Sequence, residues 1–218
     1  MITRSTYFRS LQFGYAAPTG QHAGVCLWFR VKPNHYVNVI SELAFTHVLE
    51  IDLCAQIHQR DRALCLTENR IAYTVANEEC FQKIRKETRG FIGQSIAETF
   101  ALNGVPLVQA DPDTFNGWQR VRGFLRPAPD GVPWLTIDST CEHLIRGLAS
   151  GLSDDTHADE LATYSPALHA LRFAVMSQPA PEMVIANEPP PPGTPAARVA
   201  ELMAEGNMGD GRRFGEAR

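Results

Sequence analysis

Hydrophobic and polar positions divide the chain into short β-type runs followed by alternating helix and strand patterns. The runs Tyr7 to Phe13, Gly24 to Val31 and His35 to Glu42 are rich in β-branched and aromatic residues. Turn material, Pro18-Thr-Gly20 and Lys32-Pro-Asn34, separates them, so they read as a three-strand antiparallel meander. From Val48 to Ala63 apolar residues recur at roughly helical spacing, and Ile71 to Ala76 reads as a strand. Ser95-Ile-Ala-Glu98 is a capping-box pattern opening a helix that ends at Asn103-Gly104, with the apolar run Val105 to Val108 directly after it. A helix around Phe115 to Leu125 is stopped by Pro127 and Pro129. Trp134 to Ile137 is a further strand, and Cys141 to Leu152 a helix capped near Ser139 or Thr140. Ser165-Pro166 starts a last helix that reaches about Met176, with Ser at the N-cap and Pro at the first helical position. This order predicts an α/β fold, a mixed sheet covered by helices on both faces.

Beyond Gln178 the pattern ends. Seven of the fifteen prolines lie between Pro179 and Pro195, and the last stretch is rich in Gly, Glu and Arg. Residues 1–178 are therefore expected to form the folded domain and 179–218 a Pro-rich disordered tail.

Composition narrows the chemistry. With 218 residues, 44% of them apolar, the chain can bury one domain-sized core, and a net charge of −4 leaves nucleic-acid contact to local patches. Five scattered cysteines without a C-x-x-C pair argue against zinc knuckles and disulfides, and for reduced, buried, structural thiols. Seven histidines show neither H-x-x-x-H nor H-E-x-x-H spacing, which disfavours a zinc enzyme. No apolar stretch of about 18 residues is present, so a soluble cytoplasmic protein is expected. Ser165 with His169, and Cys141 with His143, lack a third orienting partner and read as cap and packing residues.

Seven segments in chain order, Ser10-Leu-Gln-Phe-Gly-Tyr15, Ile40-Ser-Glu-Leu43, Tyr73-Thr-Val-Ala-Asn77, Ser95-Ile-Ala-Glu98, Asn103-Gly-Val-Pro106, Asn116-Gly-Trp-Gln119 and Ala170-Leu-Arg-Phe173, together resemble the nuclease domain of bacteriophage large terminase subunits. The resemblance spans about residues 8 to 176. It implies an RNase H-like, five-stranded mixed sheet: the antiparallel meander plus parallel strands, flanked by helices. It also implies a two-metal endonuclease in which an Asp on the first strand, an acidic residue ending a later strand and an Asp on the last helix hold two divalent cations. Such a site needs several carboxylates, because two adjacent dications repel strongly while they clamp the attacking and leaving oxygens.

At the matching positions this chain has Gln12, Asn77 and His169, and the family's helix His is Pro166. Two neutral amides and an imidazole supply no negative charge, so cleavage is expected to be lost or impaired, and no cofactor is expected. Mg²⁺ or Mn²⁺ would be needed only for residual activity, for which Glu42 and Asp138 are weak candidate ligands. For DNA phosphates the candidates are Lys83, Arg85, Lys86, Arg89, Arg120 and Arg122, although Glu78, Glu79 and Glu87 offset much of the charge around the first four. The resemblance implies a role in phage or prophage DNA packaging in a bacterial host cell, with weak double-stranded DNA contact. The motor, small terminase or portal proteins are the implied protein partners. The alternative is a non-catalytic interaction module docking to motor or portal proteins. The phosphate-cradling Gly-x-x-x-x-Gly-Lys-Ser/Thr loop of an ATPase motor is not in this sequence.

Overall fold

The computed structural model describes residues 5–14, 23–66, 70–83, 93–151 and 165–181. The expected tail lies almost entirely outside them. Six strands, β1 (Thr6–Gln12), β2 (Gly24–Val31), β3 (Val37–Phe45), β4 (Ile71–Ala76), β5 (Leu107–Gln109) and β6 (Leu135–Ile137), form one sheet in the order β5-β4-β1-β2-β3-β6. Among the described residues the α-helices are α1 (Glu50–Ala63), α2 (Ile96–Leu102), α3 (Thr114–Leu125), α4 (Glu142–Gly151) and α5 (Pro166–Met176).

The meander is present as expected, with β1–β2 and β2–β3 antiparallel. β4 joins β1 in parallel and β5 joins β4 in parallel. The expectation of five strands is corrected to six, because β6 adds in parallel to the outer edge of β3 through Val37, Asn38 and Val39. The third strand also runs later than its apolar run suggested. His35 sits at φ 66°, in the tight turn that donates its N–H to Lys32 O, so the strand begins at Val37.

Burial explains the patterns. β2 is buried at six consecutive positions, Gly24 to Phe29, because helices cover both faces of the sheet and no side of a central strand reaches water. On one face Leu11, Phe13, Cys26, Trp28, Leu53, Ile57, Ile96 and Phe100 form a continuous core under α1 and α2. The opposite face packs on α5, whose backbone accepts the Ser10 hydroxyl at Ala170 O (2.7 Å). There Phe8 stacks between Phe29 (4.8 Å) and Tyr73 (5.1 Å). Eight of the eleven α5 residues are buried, which fits a central helix rather than a surface one.

The α2 boundaries match the sequence signals. The Ser95 hydroxyl accepts from Glu98 N–H (3.1 Å) while the Glu98 carboxylate accepts from Ser95 N–H (2.7 Å), a complete capping box. Gly104 at φ 75° ends the helix, and Val105 N–H returns to Phe100 O at 2.9 Å, the left-handed stop that glycine adopts without a Cβ penalty. α4 starts one residue after the expected Cys141, but its cap is a carboxylate and not the expected Ser139 or Thr140. Its first amides, His143 N–H and Leu144 N–H, donate to the Glu42 carboxylate of β3 at 2.7 and 3.0 Å, a cap supplied from 101 and 102 residues away.

Candidate functional site

β1 and β4 are neighbouring parallel strands, and pairing of Leu11 with Ala76 brings their carboxyl ends, Gln12 and Asn77, side by side. Ligands of open α/β sheets gather at this end of the strands. Asn77 is 3% exposed and its amide is consumed by local bonds. Its Oδ1 accepts from Phe13 N–H at 2.8 Å and from the Cys80 thiol at 3.4 Å. Its Nδ2 donates to Phe13 O at 3.1 Å and to the Glu79 carboxylate at 2.7 Å. The side chain thus extends the β1–β4 ladder by one rung. The amide orientation follows from its partners, since one residue offers it both an N–H and a C=O. A carboxylate could accept from Phe13 N–H and the Cys80 thiol but could donate to neither Phe13 O nor Glu79.

Gln12 is half-buried at the end of β1 and bonds only weakly to Phe13 O, at 3.4 Å. His169 lies in α5, half-buried, tilted against Trp118 of α3 (6.4 Å) and against Phe173 (6.3 Å). The imidazole is therefore packed among rings. None of these three side chains carries a negative charge, and one of them is locked into the backbone. Among the described residues no three His, Cys, Asp or Glu side chains come together as a metal-binding group.

The two weak acidic candidates have local work. Both Glu42 oxygens cap α4. Asp138 follows β6, and its Oδ1 accepts from Thr140 N–H (3.0 Å) and the Thr140 hydroxyl (2.8 Å). These bonds, led by the backbone one, hold its carboxyl below the ordinary value. Glu42 and Asp138 both bear on Cys141, where burial first and these carboxylates next push the thiol up to about 12. Cys26, Cys54 and Cys80 are buried as well, and burial lifts Cys26 and Cys80 to about 12 and Cys54 to about 11. Such thiols stay protonated and inert near neutral pH. Cys65 departs from the expectation, being exposed at the end of α1.

Of the basic candidates, Lys83 is exposed and 3.8 Å from Glu98, while Arg85, Lys86 and Arg89 lie outside the described residues. Arg120 and Arg122 diverge. Arg122 is exposed, but the Arg120 guanidinium donates to Met176 O (3.3 Å) and Gln178 O (2.9 Å), closing the carboxyl end of α5.

Two buried arginines escaped the sequence reading. Arg9 on β1, 4% exposed, donates to Asp61 Oδ2 of α1 (2.8 Å) and to the Thr74 hydroxyl of β4 (3.0 Å), while Trp28 Nε1 of β2 donates to Asp61 Oδ1 (2.7 Å). The signal was a lone Arg inside an apolar strand and an Asp on the apolar side of a helix. Arg172, also 4% exposed, donates to the carbonyls of Asp113 (3.0 Å) and Pro112 (3.4 Å) ahead of α3, and burial lowers its pKa. Its stem fills the space over Gly117, where an added Cβ would meet Arg172 Cγ at 2.7 Å. The Asn116-Gly-Trp and Leu-Arg-Phe segments are thereby two halves of one helix contact.

No family model and no curated protein matches the chain. Among solved structures, the nuclease domain of the P22 large terminase is similar over 83% of this chain and 86% of its own length, with a TM-score of 0.51 at 10% identity. The nuclease domain of g2p, the large terminase of bacteriophage SPP1, solved with bound Mn, is similar over 78% of this chain and 84% of its own length, with a TM-score of 0.46 at 14% identity. The P22 likeness establishes that the chain has the fold of a large terminase nuclease domain. At that identity it speaks to the fold alone.

Proposed function

We infer that this domain serves phage DNA packaging as a terminase nuclease-like module in which metal-dependent cleavage is lost or impaired, leaving a role in binding. One observation carries the reading. Where the resemblance expects a metal-binding carboxylate, the Asn77 amide donates to Phe13 O and to Glu79. Those bonds require an N–H donor, so the position is adapted to an amide and not merely deprived of an acid. Gln12 and His169 add no negative charge, and without it two divalent cations cannot be held about 4 Å apart. The shared fold supports the packaging context, and the packaging motor, small terminase, portal proteins and DNA are the partners that context supplies.

The test is a supercoiled-plasmid assay in Mn²⁺ and in Mg²⁺. The expected result is no nicking above buffer. Nicking that chelator abolishes and that scales with purified protein would sink the inactive reading, and mutation of Glu79, the acid that touches Asn77, would then locate the surviving site.

A further inference from the structure

β5 closes one side of the sheet with only three residues. Beside it Val75, Val108, Ala110, Phe173 and Met176 line an open groove of about 450 Å³ between the sheet edge and α5. Val108 is 52% exposed, and β5, guarded only by its shortness, carries no Lys or Pro of its own. Ala110 N–H bonds Ala76 O, so by the two-residue alternation of a parallel strand the N–H and C=O of Gln109 point away from β4.

The groove carries an acidic residue on its rim. Asp111 lines one end, exposed, with exposed Asp113 two residues further on. Buried Arg172 offsets part of that charge, and two carboxylates still exceed one guanidinium.

We propose that this groove receives an extended segment of a partner protein as a seventh strand on β5. Alternate apolar side chains of that segment enter the groove, and a basic residue meets Asp111. Main-chain bonds to an open edge give such a segment affinity, and the apolar pocket with its acidic rim gives selectivity. The groove does not use Gln12, Asn77 or His169, so this docking and the absence of cleavage can fail separately.

The probe is a phage-displayed library of random dodecapeptides selected on the purified full chain, with the winning peptide synthesised and its affinity measured by fluorescence anisotropy. The expected family alternates apolar residues and bears Lys or Arg at one end. Val108→Asp should weaken its binding about tenfold or more, and Asp111→Lys should invert its charge preference, both variants keeping the wild-type circular dichroism spectrum. No enriched family overturns the proposal, as does a peptide that binds either variant like wild type. A concentration-dependent dimer that Val108→Asp dissociates, seen by sedimentation, assigns the groove to a second copy and also overturns it.

Discussion

Asn77 shows how one atom decides a residue's use. Asp and Asn share a shape, and only the amide can donate to Phe13 O and Glu79 while it accepts from Phe13 N–H. Asn77→Asp would turn two attractive contacts into oxygens facing oxygens in a site 3% exposed. The expected outcome is a loss of about 1–3 kcal/mol in urea unfolding, the usual penalty for unpairing buried polar groups, with no gain of Mn²⁺ binding by calorimetry. Stability equal to wild type together with Mn²⁺ uptake would show that the site still accepts a carboxylate. The sequence shows an amide at position 77, where the resemblance implies a carboxylate. That the Asn is structurally required could not be read there, because the requirement comes from Phe13, 64 positions away.

Between elements, the contact of α3 with α5 depends on a missing side chain. Gly117→Ala places a Cβ at 2.7 Å from Arg172 Cγ, and Arg172 cannot swing aside without releasing the Asp113 and Pro112 carbonyls. Overpacking costs about 1–3 kcal/mol, which exceeds the roughly 1 kcal/mol that Ala gains over Gly in a helix, so thermal melting should show a net loss. The caps of α2 and α3 give the domain an acid sensitivity. Glu98 is held below its ordinary 4.5 first by Ser95 N–H, and Asp113 below 3.8 first by Asn116 N–H. A carboxyl whose folded value is depressed stabilises the fold above its unfolded value and loses that contribution as pH falls through the folded one. Hydrogen exchange at the first amides of both helices should therefore accelerate as pH drops below about 4, relative to intrinsic exchange rates. Protection unchanged down to about pH 2 would refute the capping account.

Across the whole molecule, the Arg9, Asp61, Trp28 and Thr74 network ties α1 to β1, β2 and β4. Asp61→Ala would leave a buried guanidinium and an indole N–H unpaired, and a loss of about 3–5 kcal/mol is expected in equilibrium unfolding. The double replacement Arg9→Met with Asp61→Leu should recover part of it, since a buried pair replaced by apolar groups of similar volume often costs little. If both variants lose equally, the pair is valuable for more than its mutual neutralisation. The same scale governs the basic residues. Counted along the chain, Arg120 and Arg122 are a pair of DNA candidates, but the fold gives Arg120 to the end of α5 and leaves Arg122 exposed.

Local physics was written in the sequence. Alternation and apolar runs marked the six strands, and Ser95, Glu98 and Gly104 marked the ends of α2, because propensity, caps and turns depend on near neighbours. The sequence likewise shows that Gln12, Asn77 and His169 supply no negative charge, since neither an amide nor an imidazole carries one wherever it sits. Only the tertiary structure decided what distant groups do for one another: that Glu42 caps α4, that Asn77 completes a ladder with Phe13, that Arg9 meets Asp61, and that β6 joins β3 as a sixth strand. Burial makes these pairings obligatory, since a polar group removed from water must find a partner wherever the chain brings one, and sequence distance holds no record of where that is.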